Sequence, residues 1–204
     1  VEAVAMRTSP TNIGLYLLSV LAAEDFGFIS AAETEKRLAK AFDSMDRMKK
    51  WNGHFYNWYE LERLSVLGSG YISTVDSGNL CVCLVALSRS LYSSGRTSLA
   101  KRCEAFFLAA DFTRLYNSER NLFSLGFDEG IDRLSDICYD LYMSEARSTS
   151  YFALSFGLAP VKHWRALGRP VVGNGGHIGM ASWSGTAFEY FMPQLFLPLY
   201  KDSF

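Results

Sequence analysis

The segment SPTNIGLYLLSVLAAEDFG, Ser9 to Gly27, carries small or apolar residues nearly all the way round a helix, and the segment after it, SAAETEKRLAKAFDSMDR, is apolar on one stripe only. A helix of the first kind has to be covered on most sides, whereas one of the second kind covers a neighbour and faces water. The first is read from about Thr11 to about Gly27, and the second opens on a capping box at Ser30 to Glu33 and shows its core stripe at Leu38, Phe42 and Met45. Helical periodicity returns from Asn79 to Leu91, with Asp76 or Ser77 placed to cap it, and again from Ser98 to Phe112. Alternation of the two kinds predicts an all-α chain of inner and outer layers, as in a barrel of paired helices. A small β-hairpin is predicted around NSER within Phe112 to Gly130. Helices are predicted from about Ser135 to Phe156 and from Trp183 to Tyr200, the latter bent or ended by Pro193 and Pro198. Trp51 to Gly78 and the stretch around GNGGHIG, Gly173 to Gly179, read as loops.

The 204 residues suit one domain, 1–204, and 49% apolar content supplies a core. Twenty basic and 21 acidic residues leave a net charge of −1, which gives no electrostatic footprint for nucleic acid or an anionic membrane. A neutral ligand fits this balance better, and 15% aromatic content offers rings on which sugars stack. Cys81, Cys83, Cys103 and Cys138 lack CxxC spacing and read as reduced core thiols, which implies a cytoplasmic compartment. His54, His163 and His177 form no metal motif, so neither a metal nor a cofactor is expected. No apolar run reaches the ~18 residues of a membrane span. GNGGHIG fails the dinucleotide fingerprint, and WSGTA is not a nucleophile elbow.

Three segments put acids where a core would prefer none. On a continuous helix, Glu145 shares a face with Cys138, Leu141, Tyr142, Thr149 and Phe152, and Asp140 lies about 140° away from it. A carboxylate there needs an ion partner, such as Arg147, or a raised pKa and a task. Asp76 is read either as a helix cap or as a site acid. Glu189 lies beside Ser182, Gly185 and Thr186, which either leave room for a ligand or hold the acid through backbone amides. Carboxylates converging on an aromatic cleft are what glycoside chemistry requires: one protonates the leaving oxygen, the other attacks or activates water.

TSPTNIGLYLLS, HFYNWYE, YISTVDSGNL, YDLYMSEAR, HWRALGRP and SWSGTAFEYFMP occur in this order, and together they resemble the glucoamylase-like region of cyclic β-1,2-glucan synthases, a group related to endo-β-1,2-glucanases. The resemblance implies an (α/α)6-barrel-type helical toroid and retaining hydrolysis or transglycosylation of β-1,2-glucan. It makes Glu145, in SEAR, the acid/base. The family's nucleophile lies in a GISESAY-like segment that these residues do not include, so the resemblance implies a partial domain within a larger parent polypeptide. Glu60 stands where the family usually has Asp, and the stretch between Leu91 and Arg102 is shorter than in the synthases. Trp58, Tyr59, Asp76, Asn79, Arg147, Trp183 and Glu189 are the expected sugar-contacting shell. The expected setting is cytoplasmic, as a soluble domain of a membrane-anchored parent. Two alternatives stand beside the enzyme: a non-catalytic carbohydrate-binding module, and a structural helical module whose buried acids are salt-bridged.

Overall fold

A computed structural model describes residues 5–197. Its helices are α1 (Pro10–Asp25), α2 (Ala31–Arg47), α3 (Thr74–Ser93), α4 (Thr97–Ala109), α5 (Arg147–Ser155), α6 (Lys162–Ala166) and α7 (Ala187–Phe191). Helix α1 starts at Pro10, whose missing N–H costs nothing at a first helical position, and the Ser9 hydroxyl caps it by accepting from the Asn12 amide at 3.2 Å. Ser30 caps α2 in the same way, but the Glu33 carboxylate turns to Arg37 at 2.8 Å, so half of the expected capping box forms.

Helix α3 is the hub, buried on almost every side from Thr74 to Leu91. Helices α1 and α5 each pack against it, forming an inner row, while α4 covers α3 and α2 covers α1 from outside, the two outer helices also touching each other. The inner helices approach closely through glycines. A methyl group at Gly14 would lie 2.9 Å from the Cys83 side chain, and one at Gly78 would stand 2.8 Å from the Thr149 Cα and closer still to its side chain. Outside, Arg102 of α4 ties to Asp43 and Asp46 of α2 at 2.8 and 2.7 Å, with its guanidinium 5.6 Å from the Phe42 ring, which packs at a tilt against Phe106. The helices therefore build a two-layered arc, inner row α1, α3, α5 and outer row α2, α4. All four cysteines are buried free thiols in or beside this core.

Several expectations change. The predicted cover around α1 is one-sided: Gly14, Leu17 and Val20 are buried, whereas Tyr16 is about half exposed. The class is helix-dominated rather than all-α, because short strands carry much of the connecting chain. Strands Tyr71–Ser73, Gly126–Asp128 and Arg133–Leu134 make a three-stranded sheet, and four two-stranded ribbons accompany it. The expected hairpin around NSER is present as Tyr116–Asn117 paired with Leu122–Phe123. The supposed loop at GNGG is a second hairpin, Val171–Asn174 with His177–Met180. Gly175 and Gly176 both take positive φ (55° and 84°), as the tight primed turn requires.

The helix expected from Ser135 exists only from Arg147 to Ser155. Upstream, the backbone pairs with other segments: the Tyr139 amide donates to the Phe123 carbonyl at 2.9 Å, and Tyr142 to Gly168 at 2.9 Å. Tertiary pairing there overrides the helical period. The last helix is likewise short, since α7 gives way at Pro193 to a 3-10 turn, Met192–Leu195. Pro198 and Tyr200 lie outside the described residues. Among the described residues no helix is long and apolar enough to cross a membrane.

Candidate active site

The N-terminal ends of the inner helices carry the polar residues that the core does not use. Thr11 lies in the first turn of α1, Asp76 in the first turn of α3, and Glu145 two residues before α5; Glu189 occupies the first turn of α7. Helix N-termini offer free amide donors and a positive partial charge, so acids gather there without needing cations.

Glu145 is half-buried, and among the described residues its carboxyl has neither an ion pair nor a hydrogen bond. Burial, reinforced by the negative charges of Asp76 and Glu189, pushes it up to about 7. The salt bridge to Arg147 does not form. Arg147 is itself buried and turns aside, donating to the Met143 sulfur at 3.4 Å and to the Tyr190 carbonyl at 3.5 Å, with its guanidinium 5.1 Å from the Tyr142 ring. The helical-face argument for Glu145 also falls, because the chain before Arg147 is not helical. Burial comes instead from a turn folded against the helix ends.

Asp76 does not cap α3. Ser73 does, accepting from the Asp76 amide at 3.2 Å, which frees the carboxylate. The Thr11 hydroxyl donates to Asp76 Oδ1 at 2.6 Å and accepts from the Asn79 side-chain amide at 3.3 Å. Thr11 thus links α1 to α3 and fixes one oxygen of the acid. It was legible in the sequence only as a helix start.

Glu189 resolves toward the bland alternative. The room expected beside it is filled by donors: the hydroxyls of Ser184 and Ser182 at 2.6 and 3.0 Å, and the Thr186 amide at 3.2 Å, within a capping box that Thr186 completes. Desolvation works to raise its carboxyl, but these hydrogen bonds outweigh it and hold the acid down at about 2.

Tyr59 belongs to the core rather than to a sugar shell. It is fully buried, its hydroxyl donating to the Lys49 carbonyl at 2.6 Å and accepting from the Tyr56 amide at 2.8 Å. Trp58 is partly exposed but lies under Arg7, whose guanidinium stands 4.7 Å from the ring. Asn79 is buried with its carbonyl oxygen unpartnered. Trp183 is half exposed and stacks on Tyr139, with centroids 5.5 Å apart and planes 16° from parallel. Tyr139 was missed in the sequence. Burial and the charges of Glu145, Tyr71 and Asp76 all push its phenol up, so it belongs with the acids. No spacing rule could have found it, since a bent, non-helical stretch connects it to Glu145. Among the described residues, no group of three His, Cys, Asp or Glu side chains could hold a metal ion.

No family model matches the chain. In sequence it is similar to the cyclic β-(1,2)-glucan synthase NdvB of Rhizobium meliloti (strain 1021), 30% identical over 318 aligned positions that cover 94% of this chain and 11% of the synthase. Those positions outnumber the chain's 204 residues, so the synthase carries stretches that this chain lacks. The fold matches an endo-β-1,2-glucanase from Chitinophaga pinensis, solved with sophorotriose and glucose, at a TM-score of 0.78 and 15% identity, covering 89% of this chain and 46% of that one. A glucoamylase-like protein from Bacteroides fragilis NCTC 9343 matches at a TM-score of 0.80 and 14% identity, covering 92% and 49%. The chain therefore spans about half the length of these structures and about a tenth of the synthase. The resemblance drawn from the motifs holds in the sequence comparison, and the solved structures share the fold.

Proposed function

We propose, on the strength of that similarity, that the chain is the acid-bearing part of an enzyme that cuts or transfers β-1,2-glucan, with Glu145 as its general acid/base. The observation that carries this reading is an unpaired, half-buried carboxyl at about 7 beside two other acids. A structural acid would have a cation or amides to hold it, as Glu189 does. At neutral pH Glu145 is held in both protonation states. The acid form gives its proton to the glycosidic oxygen as the bond to the anomeric carbon breaks; the base form then takes a proton from the incoming water or sugar hydroxyl. Burial and, after it, the charge of Asp76 raise Glu145 into this range, and Thr11 fixes one oxygen of Asp76. Since Glu189 is held in its cap, the reading assigns the attacking carboxylate of a retaining mechanism, ~5 Å from the acid, to another stretch of the parent polypeptide. Four buried free thiols support a reducing, cytoplasmic setting.

The test is to incubate β-1,2-glucan with the parent polypeptide and with its Glu145→Gln variant. Product formation is expected to fall by about 10²–10⁴-fold while glucan binding persists, and wild-type activity should decline as pH rises above about 7. Unchanged product formation by the variant would overturn the assignment. Glucan binding without any turnover by the wild type would favour the non-catalytic binding module.

A further inference from the structure

Trp183 presents a large aromatic ring to solvent, 49% exposed, yet it is not free to move. One face lies flat on Tyr139, and the indole N–H donates to Asp140 Oδ1 at 2.8 Å. The backbone on either side is fixed as well. Ser182 and Ser184 both donate to the Glu189 carboxylate, and the Ser182 hydroxyl accepts from the Gly185 amide at 2.9 Å, which closes a tight turn at Gly185 (φ 71°). Immobilising an exposed ring costs conformational entropy and gains little burial, so the arrangement stabilises the fold less than a buried ring would. It does lower the cost of binding, because the ring's orientation is already set when a ligand arrives.

We infer that Trp183, stacked on Tyr139 and pinned by Asp140, is a preorganised platform for the apolar face of one β-glucosyl ring beside Glu145. The inference rests on the glucan reading above and adds a subsite to it. A β-glucosyl ring carries its hydroxyls equatorially, leaving a face of axial C–H groups that fits a flat indole, and the acids nearby favour a neutral sugar over an anionic one. The platform is tied to the Glu145 turn by geometry: Tyr139 and Asp140, which hold the ring, belong to the stretch that leads into Glu145, and Arg147, two residues on, donates to the Tyr190 carbonyl of α7 at 3.5 Å. Glu189 then acts as a positioning residue. Its cap does not touch the sugar but holds the turn from which Trp183 projects.

The test is to titrate β-1,2-linked gluco-oligosaccharides into the full chain and its variants, following intrinsic tryptophan fluorescence and calorimetric heat. Trp183→Ala is expected to weaken binding about tenfold or more, in the range of a truncated aromatic hot spot, and Trp183→Phe to recover most of it. Asp140→Ala, which releases the indole, should weaken binding by a few-fold, with Asp140→Asn close to wild type because its amide oxygen still accepts. Equal affinity of Trp183→Ala and wild type would overturn the platform alone. An absence of any wild-type affinity would overturn the platform and the glucan reading together. Loss of binding in Trp183→Ala combined with full activity in Glu145→Gln would leave the platform standing and remove the acid assignment.

Discussion

Glu145 and Glu189 are the same residue type at the same end of the arc, both at helix N-termini, yet one is pushed up to about 7 and the other held down at about 2. Charge does not separate them, since each lies near other acids. The difference is donors. In the turn before α7 the hydroxyls of Ser182, Ser184 and Thr186 and the amides of Ser184 and Thr186 converge on Glu189; the turn before α5 offers Glu145 none. A carboxylate whose hydrogen bonds are complete is part of the scaffold, whereas one left without them retains the capacity to exchange a proton. The pair shows that acid content at a helix end says little about function until its donors are counted.

The contrast can be strained first through the helix that carries Glu145. Gly78→Ala should force α3 and α5 apart at Thr149, costing about 3 kcal/mol from overpacking, offset by about 1 from better helix propensity. A net loss of about 2 kcal/mol in chemical denaturation is therefore expected. A neutral result would mean that α5 can shift without penalty, and then Glu145 would not be held where its environment is defined.

The second effect is a pH dependence. Because the folded-state value of Glu145 is raised from its ordinary 4.5 to about 7, the folded state binds its proton more tightly than the unfolded chain does. Stability linked to this group is complete below about 4.5 and is lost as pH rises through about 7. Relative to Glu145→Gln, the wild type should lose roughly 1–2 kcal/mol over that window, once solvent screening of a half-buried group is allowed for. Parallel stability curves for the two proteins would show that Glu145 is solvated after all.

The smallest effect tests the other member of the pair. Glu189→Ala removes a capping box and should cost about 1 kcal/mol in thermal or chemical unfolding. Its contribution has the opposite pH sign, being present above the ordinary value of 4.5 and lost as pH falls toward about 2. The same substitution removes one of the negative charges that raise Glu145, so the Glu145 titration, followed by NMR, should move below about 7.

Legibility in the sequence follows the range of the interactions involved. The layering is visible because α2 repeats its apolar stripe every turn whereas Ser9 to Gly27 is small or apolar nearly all the way round, both properties of single helices. Ser30 and the hairpin around NSER were likewise local. The stretch from Ser135 to Glu145 reads as helix because its apolar spacing fits 3.6 residues per turn, whereas its backbone pairs with Gly126, Phe123 and Gly168, which no local pattern records. Tyr59 looked like a sugar contact for lying among aromatic residues, and its buried hydroxyl is settled by Lys49 and Tyr56. Glu145 itself was reached through its motif rather than through its face, and the burial inferred from the wrong helix proved right for a different reason.

Helix α3 runs 20 residues with nearly every turn buried, whereas α7 runs five and has no buried residue. The two therefore belong to opposite ends of the molecule's range of local opening free energies. The turn that carries Glu189 and Trp183 is held by its own surface hydrogen bonds, whereas the one that carries Asp76 is held by core packing. Removing those hydrogen bonds would displace one negative charge and one aromatic wall together, while Asp76 stays. The acid end of the arc thus has one half fixed by core packing and one half fixed by hydrogen bonding, so that a substitution in the Glu189 cap acts on a charge and on an aromatic surface at once.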